Sequence, residues 1–190
     1  MQKNKSSAVL TTQNLAYCAL LTALSVVLAR LFGLMPSEAS RFSIEAVPIF
    51  MSGMLFGPIC GGCVGFAADF IGCLFSPYGY NPLFCVPPIL YGVCAGLFRG
   101  LLCKKVNIPR LVLAFLPPVV LGSILYQSAA LASIYYKDGP FLQGFGLYLS
   151  TRSVQFAVTL VVDVVLVYLL FKAKIFDRMG LWKSGKEETK

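Results

Sequence analysis

Apolar residues fill this chain in long blocks, each broken off by prolines, glycines or isolated charges. Six blocks stand out, at about 13–34, 43–56, 60–76, 83–103, 111–134 and 147–173. Most approach the roughly 20 apolar residues that a helix needs to cross hydrocarbon. The second block is short and contains Pro48, which predicts a bent or broken helix that lines a cavity rather than facing lipid. Between the blocks lie MPSEASR, a turn at Gly57-Pro58 with Gly61-Gly62 behind it, SPYGYN, a basic run from Arg99 to Arg110, and YYKDGPFLQGFG. The pattern predicts an all-α membrane protein, a six-transmembrane-helix bundle forming one integral membrane domain over residues 1–190.

Polar and small residues inside these blocks fall on defined faces. In the first, Ala16, Ala19 and Ala23 recur at i, i+3 and i+7, a small-residue stripe that another helix can approach closely, and Cys18, Thr22, Ser25 and Ala29 form a second stripe. In the third, Gly62, Gly65, Asp69, Gly72 and Ser76 fall within about 80° of one another, so Asp69 is expected on a glycine face turned toward protein. The fifth carries Pro117-Pro118 followed by Ser123, Tyr126, Gln127 and Ser128. In the last, Tyr148, Arg152, Gln155, Thr159 and Asp163 also project within about 80°, a polar stripe along an otherwise apolar helix. Carboxylates inside hydrocarbon cost several kcal/mol, which marks Asp69 and Asp163 as site candidates.

Composition sharpens the class. With 57% hydrophobic and only 13% charged residues, the chain lies outside the range of soluble globular domains. The net charge of +8 does not point to nucleic acid, because the basic residues sit between and beyond the apolar blocks rather than along one face. They set a topology instead. With six spans both tails share a side, and that side with the 99–110 loop holds twelve Lys and Arg against four opposite: Arg30, Arg41, Lys137 and Arg152. Positive residues favour the cytoplasmic side, so both termini are expected there, in a multi-pass protein of the cell membrane. The 35–44, 76–82 and 135–147 connections then face outward. The N-terminal MQKNK and apolar run read as a retained first span rather than a signal peptide. The seven cysteines are odd in number and lie in or beside apolar blocks, as buried free thiols rather than a disulfide framework.

The chain has no histidine, which excludes His-based metal sites, Ser-His-Asp triads and HExxH proteases, and it has no GxxxxGK[ST] phosphate loop. No cofactor is implied. What remains is a pocket inventory: Phe75, Tyr78, Tyr80, Phe84, Tyr91 and Tyr126; the amides Asn81, Gln127 and Gln155; buried carboxylates; and outward arginines. It suits a flat heteroaromatic ligand with an acidic tail. Blander readings stand beside it: Tyr78 and Tyr80 as interfacial belt aromatics, Arg41 and Glu45 as an i, i+4 pair, Asp69 as a structural acid, and Cys60-Gly-Gly-Cys63 as core packing.

The elements R-F-x-x-E-A-x-P at Arg41–Pro48, Gly57-Pro58-x-x-Gly61, the intramembrane Asp69 and P-x-G-Y-N-P at Pro77–Pro82 together resemble the substrate-binding S components of energy-coupling factor (ECF) vitamin transporters, specifically their folate family. The resemblance implies a membrane subunit that captures folate from outside with high affinity. It also implies docking on a transmembrane coupling subunit with two ATPases, through small first-helix residues that fall on Ala19 and Ala23 with Ala16 beside them. A pterin presents adjacent N–H donors that a carboxylate accepts, with Asp69 as the first choice and Asp163 the second. Aromatics of 75–84 would hold the rings and Arg41 or Arg152 the glutamate tail. Glu45, Tyr126, Gln127 and Gln155 complete the expected lining. The alternatives are an S component for another vitamin, such as riboflavin or pantothenate, a small lipid-modifying intramembrane enzyme using Asp69 and Asp163, and a structural bundle partner.

Overall fold

A computed structural model describes residues 12–31, 34–37, 40–42, 44–75, 81–104, 106–136 and 140–173. Ser76, Tyr78 and Tyr80, the two tails and the side chain of Arg41 lie outside the described residues. The elements are α1 (Thr12–Leu31), strands β1 (Leu34–Ser37) and β2 (Ser40–Phe42), α2 (Ala46–Phe56), α3 (Pro58–Leu74), a 3-10 turn (Pro82–Cys85), α4 (Val86–Leu97), α5 (Arg99–Lys104), α6 (Ile108–Pro117), a π-helical segment (Pro118–Tyr126), α7 (Gln127–Tyr135) and α8 (Phe141–Lys172). Six apolar helical segments therefore answer to the six blocks. Among the described residues three are long and apolar enough to cross a membrane: Thr12–Leu31, the run Ile108–Tyr135 and Phe141–Lys172. Ala46–Phe56, Pro58–Leu74 and Pro82–Leu97 are shorter.

α2 is the centre of the bundle, with all eleven of its residues buried and α1, α3, α4 and α8 around it. Pro48 does not break it. The proline is the third residue of the helix, inside the first turn, where its missing N–H would have no intrahelical acceptor. Phe50 of α2 stacks on Phe115 of α6, with ring centroids 3.7 Å apart and planes 9° off parallel, and Tyr91 of α4 meets Phe115 edge-on at 6.2 Å.

The helices α2, α3 and α4 touch at backbone level. A Cβ on Gly92 would run into the carbonyl of Gly61, one on Gly65 into the carbonyl of Pro88, and one on Gly53 into the carbonyl of Gly92. Small residues permit this approach, and it replaces the hydrophobic driving force that helices lack inside lipid. Between α2 and α3 the chain reverses at Gly57, whose φ of 98° is a glycine conformation, and Pro58 starts α3 where its ring fits the first turn.

Two further elements depart from the sequence pattern. The connection after α1 pairs as an antiparallel hairpin, Leu34 opposite Phe42 and Ser37 opposite Ser40, and β2 packs against α8. α8 starts at Phe141, directly after Pro140, so much of the expected outer loop is helix. Along α8 the pattern is inside out: Val154, Val158, Val161 and Leu169 are exposed, while Arg152, Gln155 and Asp163 are buried. That arrangement belongs to a helix with lipid on its outer face.

The glycine contacts make a quantitative test. Gly92→Ala is expected to destabilise the bundle by at least about 2 kcal/mol through overpacking against backbone, seen as a lowered thermal midpoint in detergent. Gly100→Ala, where an added Cβ meets nothing within 4 Å, should stay within about 0.5 kcal/mol.

Candidate functional site

Two walls face the interior. The first is built by α1, α2 and α3. Ser25 of α1 donates its hydroxyl to the Glu45 carbonyl at 2.8 Å, tying α1 to the residue before α2. Arg30, near the end of α1, donates to the carbonyl of Gly72 near the end of α3. Arg30, Glu45, Asp69 and Ser25 together line a small polar cavity of about 60 Å³, room for a few waters at most. The expected glycine face of α3 is there: Gly65 and Gly72 are buried, and Asp69 is half-buried beside them.

Arg30 was not among the residues that sequence reasoning placed in the site. The signal was available only in part: it lies on the same side of α1 as Ala16, Ala19 and Ala23 at helical spacing, but its partner is a carbonyl on α3, which no residue type announces. Arg41 lies in β2 and Glu45 in the turn before α2, so the two do not share one helix.

The second wall is built by α4, the π segment, α7 and α8. Arg152 is buried in it. Its Nε donates to the Ser123 carbonyl at 3.2 Å, its Nη2 donates to Gln127 Oε1 at 2.7 Å, and its guanidinium carbon lies 5.1 Å from the ring centroid of Phe156. The hydroxyls of Tyr91 and Ser123 meet at 3.2 Å. Gln155 and Asp163 continue the inner face of α8, Tyr148 and Thr159 are half-buried on it, and Asp163 is 1% exposed with its Oδ1 lacking a hydrogen-bond partner among the described residues.

Sequence-predicted residues thus sort by wall. Glu45 and Asp69 come together on the first; Gln127, Arg152, Gln155 and Asp163 share the second; Tyr126 closes the π segment, half-buried. Asp163 is not part of the cavity that holds Asp69. Phe84 is half-buried in the 3-10 turn, and Phe75, just past the end of α3, is exposed. Asn81 has a local task, its side-chain oxygen accepting from the Leu83 N–H at 3.1 Å to cap that turn.

The two stripes of α1 differ in burial. Thr22, Ser25 and Ala29 are buried and Cys18 half-buried, whereas Ala16, Ala19 and Ala23 are exposed. An apolar groove of about 510 Å³ runs between α1 and α3, lined by Ala19, Ala23, Val26, Cys63 and Ala67 among others. Among the described residues Cys60 and Cys63 form no disulfide, and there is no cluster of metal-binding side chains.

Three comparisons place this architecture. Residues 9–173 match the family model described as the ECF-type riboflavin transporter, S component. The curated Folate transporter FolT of Clostridium novyi (strain NT) is 33% identical over 99 residues, 52% of this chain and 56% of that protein, so the match spans little more than half the relative's length. The crystal structure of FolT bound with folic acid superposes with a TM-score of 0.71 at 26% identity, covering 84% of this chain and 93% of that one. The S-component for biotin from an ECF-type ABC transporter shares the fold, with a TM-score of 0.56 at 20% identity over 86% of this chain and 95% of that one. The chain belongs to the family of ECF-type riboflavin transporter S components.

Proposed function

We propose that this chain is the folate-capturing membrane subunit of an ATP-driven ECF importer, six-spanning, with both termini cytoplasmic and its site open to the outside. The observation that carries the reading is the likeness, over most of the chain, to FolT with folic acid bound. Helix lengths support it. α2 has eleven residues and so rises about 16 Å, roughly half the hydrocarbon thickness. With Gly57 at the inner face, Glu45 then stands at mid-membrane depth, leaving a vestibule on the outer side of α2 between the two walls.

In that vestibule the pterin's adjacent N–H donors meet a carboxylate, Asp69 first and Asp163 second. The aromatics of 75–84, with Tyr78, Tyr80, Phe84 and the Asn81 turn, hold the rings, and Arg41 or Arg152 takes the glutamate tail. Glu45, Tyr126, Gln127 and Gln155 complete the lining. The family description names riboflavin, which makes it the second reading. Chemistry favours folate: a flavin flanks its single ring N–H with two carbonyls, which repel a carboxylate, and its ribityl tail is neutral and needs no arginine. Transport itself requires a transmembrane coupling subunit and two ATPases. The exposed stripe of Ala16, Ala19 and Ala23 beside the α1–α3 groove supplies the docking face.

Calorimetric titration of the purified chain in detergent is expected to give submicromolar folate binding and weaker riboflavin binding; the reverse order would transfer the assignment. Ala19→Arg should abolish uptake in cells carrying the coupling module and leave folate binding intact. Asp69→Asn should weaken folate binding by roughly 10- to 100-fold, the value of a charge-assisted hydrogen-bond pair. Asp163→Leu should raise the thermal midpoint of the ligand-free protein, because it removes a buried carboxylate oxygen that has no partner among the described residues, a gain of about 1–3 kcal/mol.

A further inference from the structure

The π segment does something that an α-helix in its place would not. In an α-helix the Gln127 N–H bonds to the carbonyl of Ser123, four residues back. Here it bonds to the carbonyl of Gly122, five residues back, which is the π register. The cause lies at the start of the segment, where Pro117 and Pro118 lack N–H groups and their rings press on the carbonyls of the preceding turn. Widening the helix relieves that crowding. The Ser123 carbonyl is thereby released from its α-helical donor, and Arg152 Nε donates to it at 3.2 Å from α8. Four residues on, at the start of α7, Gln127 presents Oε1 to Nη2 at 2.7 Å. On its other side the Ser123 hydroxyl meets Tyr91 of α4 at 3.2 Å, so this one serine joins three helices.

We infer that the Pro118–Tyr126 π segment, with Ser123 as its junction and Tyr91 as its brace, is a positioning device for the Arg152 guanidinium, and that through Arg152 it sets selectivity for ligands with an anionic tail. A guanidinium held at Nε, at Nη2 and over the Phe156 ring has its plane fixed before a carboxylate arrives. Less side-chain entropy is then lost on binding, and fork geometry toward a planar anion is preserved. The inference rests on the proposed role of Arg152 at the glutamate tail and assigns that role its supporting parts.

The experiment compares folate with pteroate, which keeps the pterin and benzoyl rings but lacks the glutamate tail, by titration of the full chain in detergent. Deleting Leu121, an exposed residue inside the π segment, removes the extra residue and restores α register. Folate affinity is expected to fall by about tenfold, one charge-assisted hydrogen bond, while pteroate affinity changes by less than about twofold. Tyr91→Phe, which keeps the ring packing and removes only the hydroxyl, is expected to shift the folate-to-pteroate ratio in the same direction by a smaller factor, and it serves if the deletion variant does not fold. If both ligands weaken together in these variants, the segment is merely structural and the inference falls. It falls equally if the ratio stays at its original value in Tyr91→Phe. Arg152→Leu separates the two levels: if that change leaves the ratio untouched, the tail-binding role of Arg152 fails; if it collapses the ratio while the other two variants do not, only the positioning inference fails.

Discussion

The contact of α2, α3 and α4 through bare backbone is the constraint from which the rest of the arrangement follows. Inside lipid, helices gain nothing from burying leucine against leucine, so association relies on dispersion at short range and on whatever polar contacts the short range permits. Gly53, Gly61, Gly65 and Gly92 bring three helices to that range. With α3 and α4 drawn in this far, α2 is enclosed over its whole length, and a helix of eleven residues becomes sufficient because neighbours rather than lipid surround it. Beside the N-terminus of that short helix lies the small polar cavity lined by Ser25, Arg30, Glu45 and Asp69.

Polar groups inside such a bundle are held by backbone as often as by side chains. Ser25 donates to the Glu45 carbonyl, Arg30 to the Gly72 carbonyl and Arg152 to the Ser123 carbonyl. Two of these acceptors lie where helix geometry loosens its hold on a carbonyl: Gly72 in the last turn of α3 and Ser123 in the π segment. Irregular backbone at membrane depth is tolerable only where protein satisfies it. The same irregularities supply the acceptors that keep charged side chains oriented in a low-dielectric interior, where a polar contact is strong and an unmade one is expensive.

Much of this was legible in the residues. Long apolar blocks identify the helices, and helical spacing placed Arg152, Gln155 and Asp163 on one face that the structure buries. The hairpin of 34–42 was not legible, because its strands are four and three residues long and show no alternation. Prolines were legible as positions but not as roles. Pro48 starts a helix, Pro58 follows a turn, and Pro117-Pro118 widen one, and a single apolar context surrounds all of them. Small residues carry a similar ambiguity. The stripes Ala16/Ala19/Ala23 and Cys18/Thr22/Ser25/Ala29 look alike in sequence, and only packing shows that one is outside and the other inside.

That division of α1 has a mechanical consequence. Its buried stripe reaches the start of α2 through Ser25, and its far end reaches α3 through Arg30, so α1 contacts the first wall of the site at two points. Ala19 and Ala23 of the other stripe line, together with Cys18 and Thr22, the groove beside the face proposed for the coupling subunit. A rigid helix transmits a shift at one face to the other without any intervening chain of residues. A shift of Glu45 or Gly72 would carry α1, and its alanine stripe with it. Coupling of this kind requires differential contact in two states rather than distance, and on its inner side α1 makes its contacts through Ser25 and Arg30.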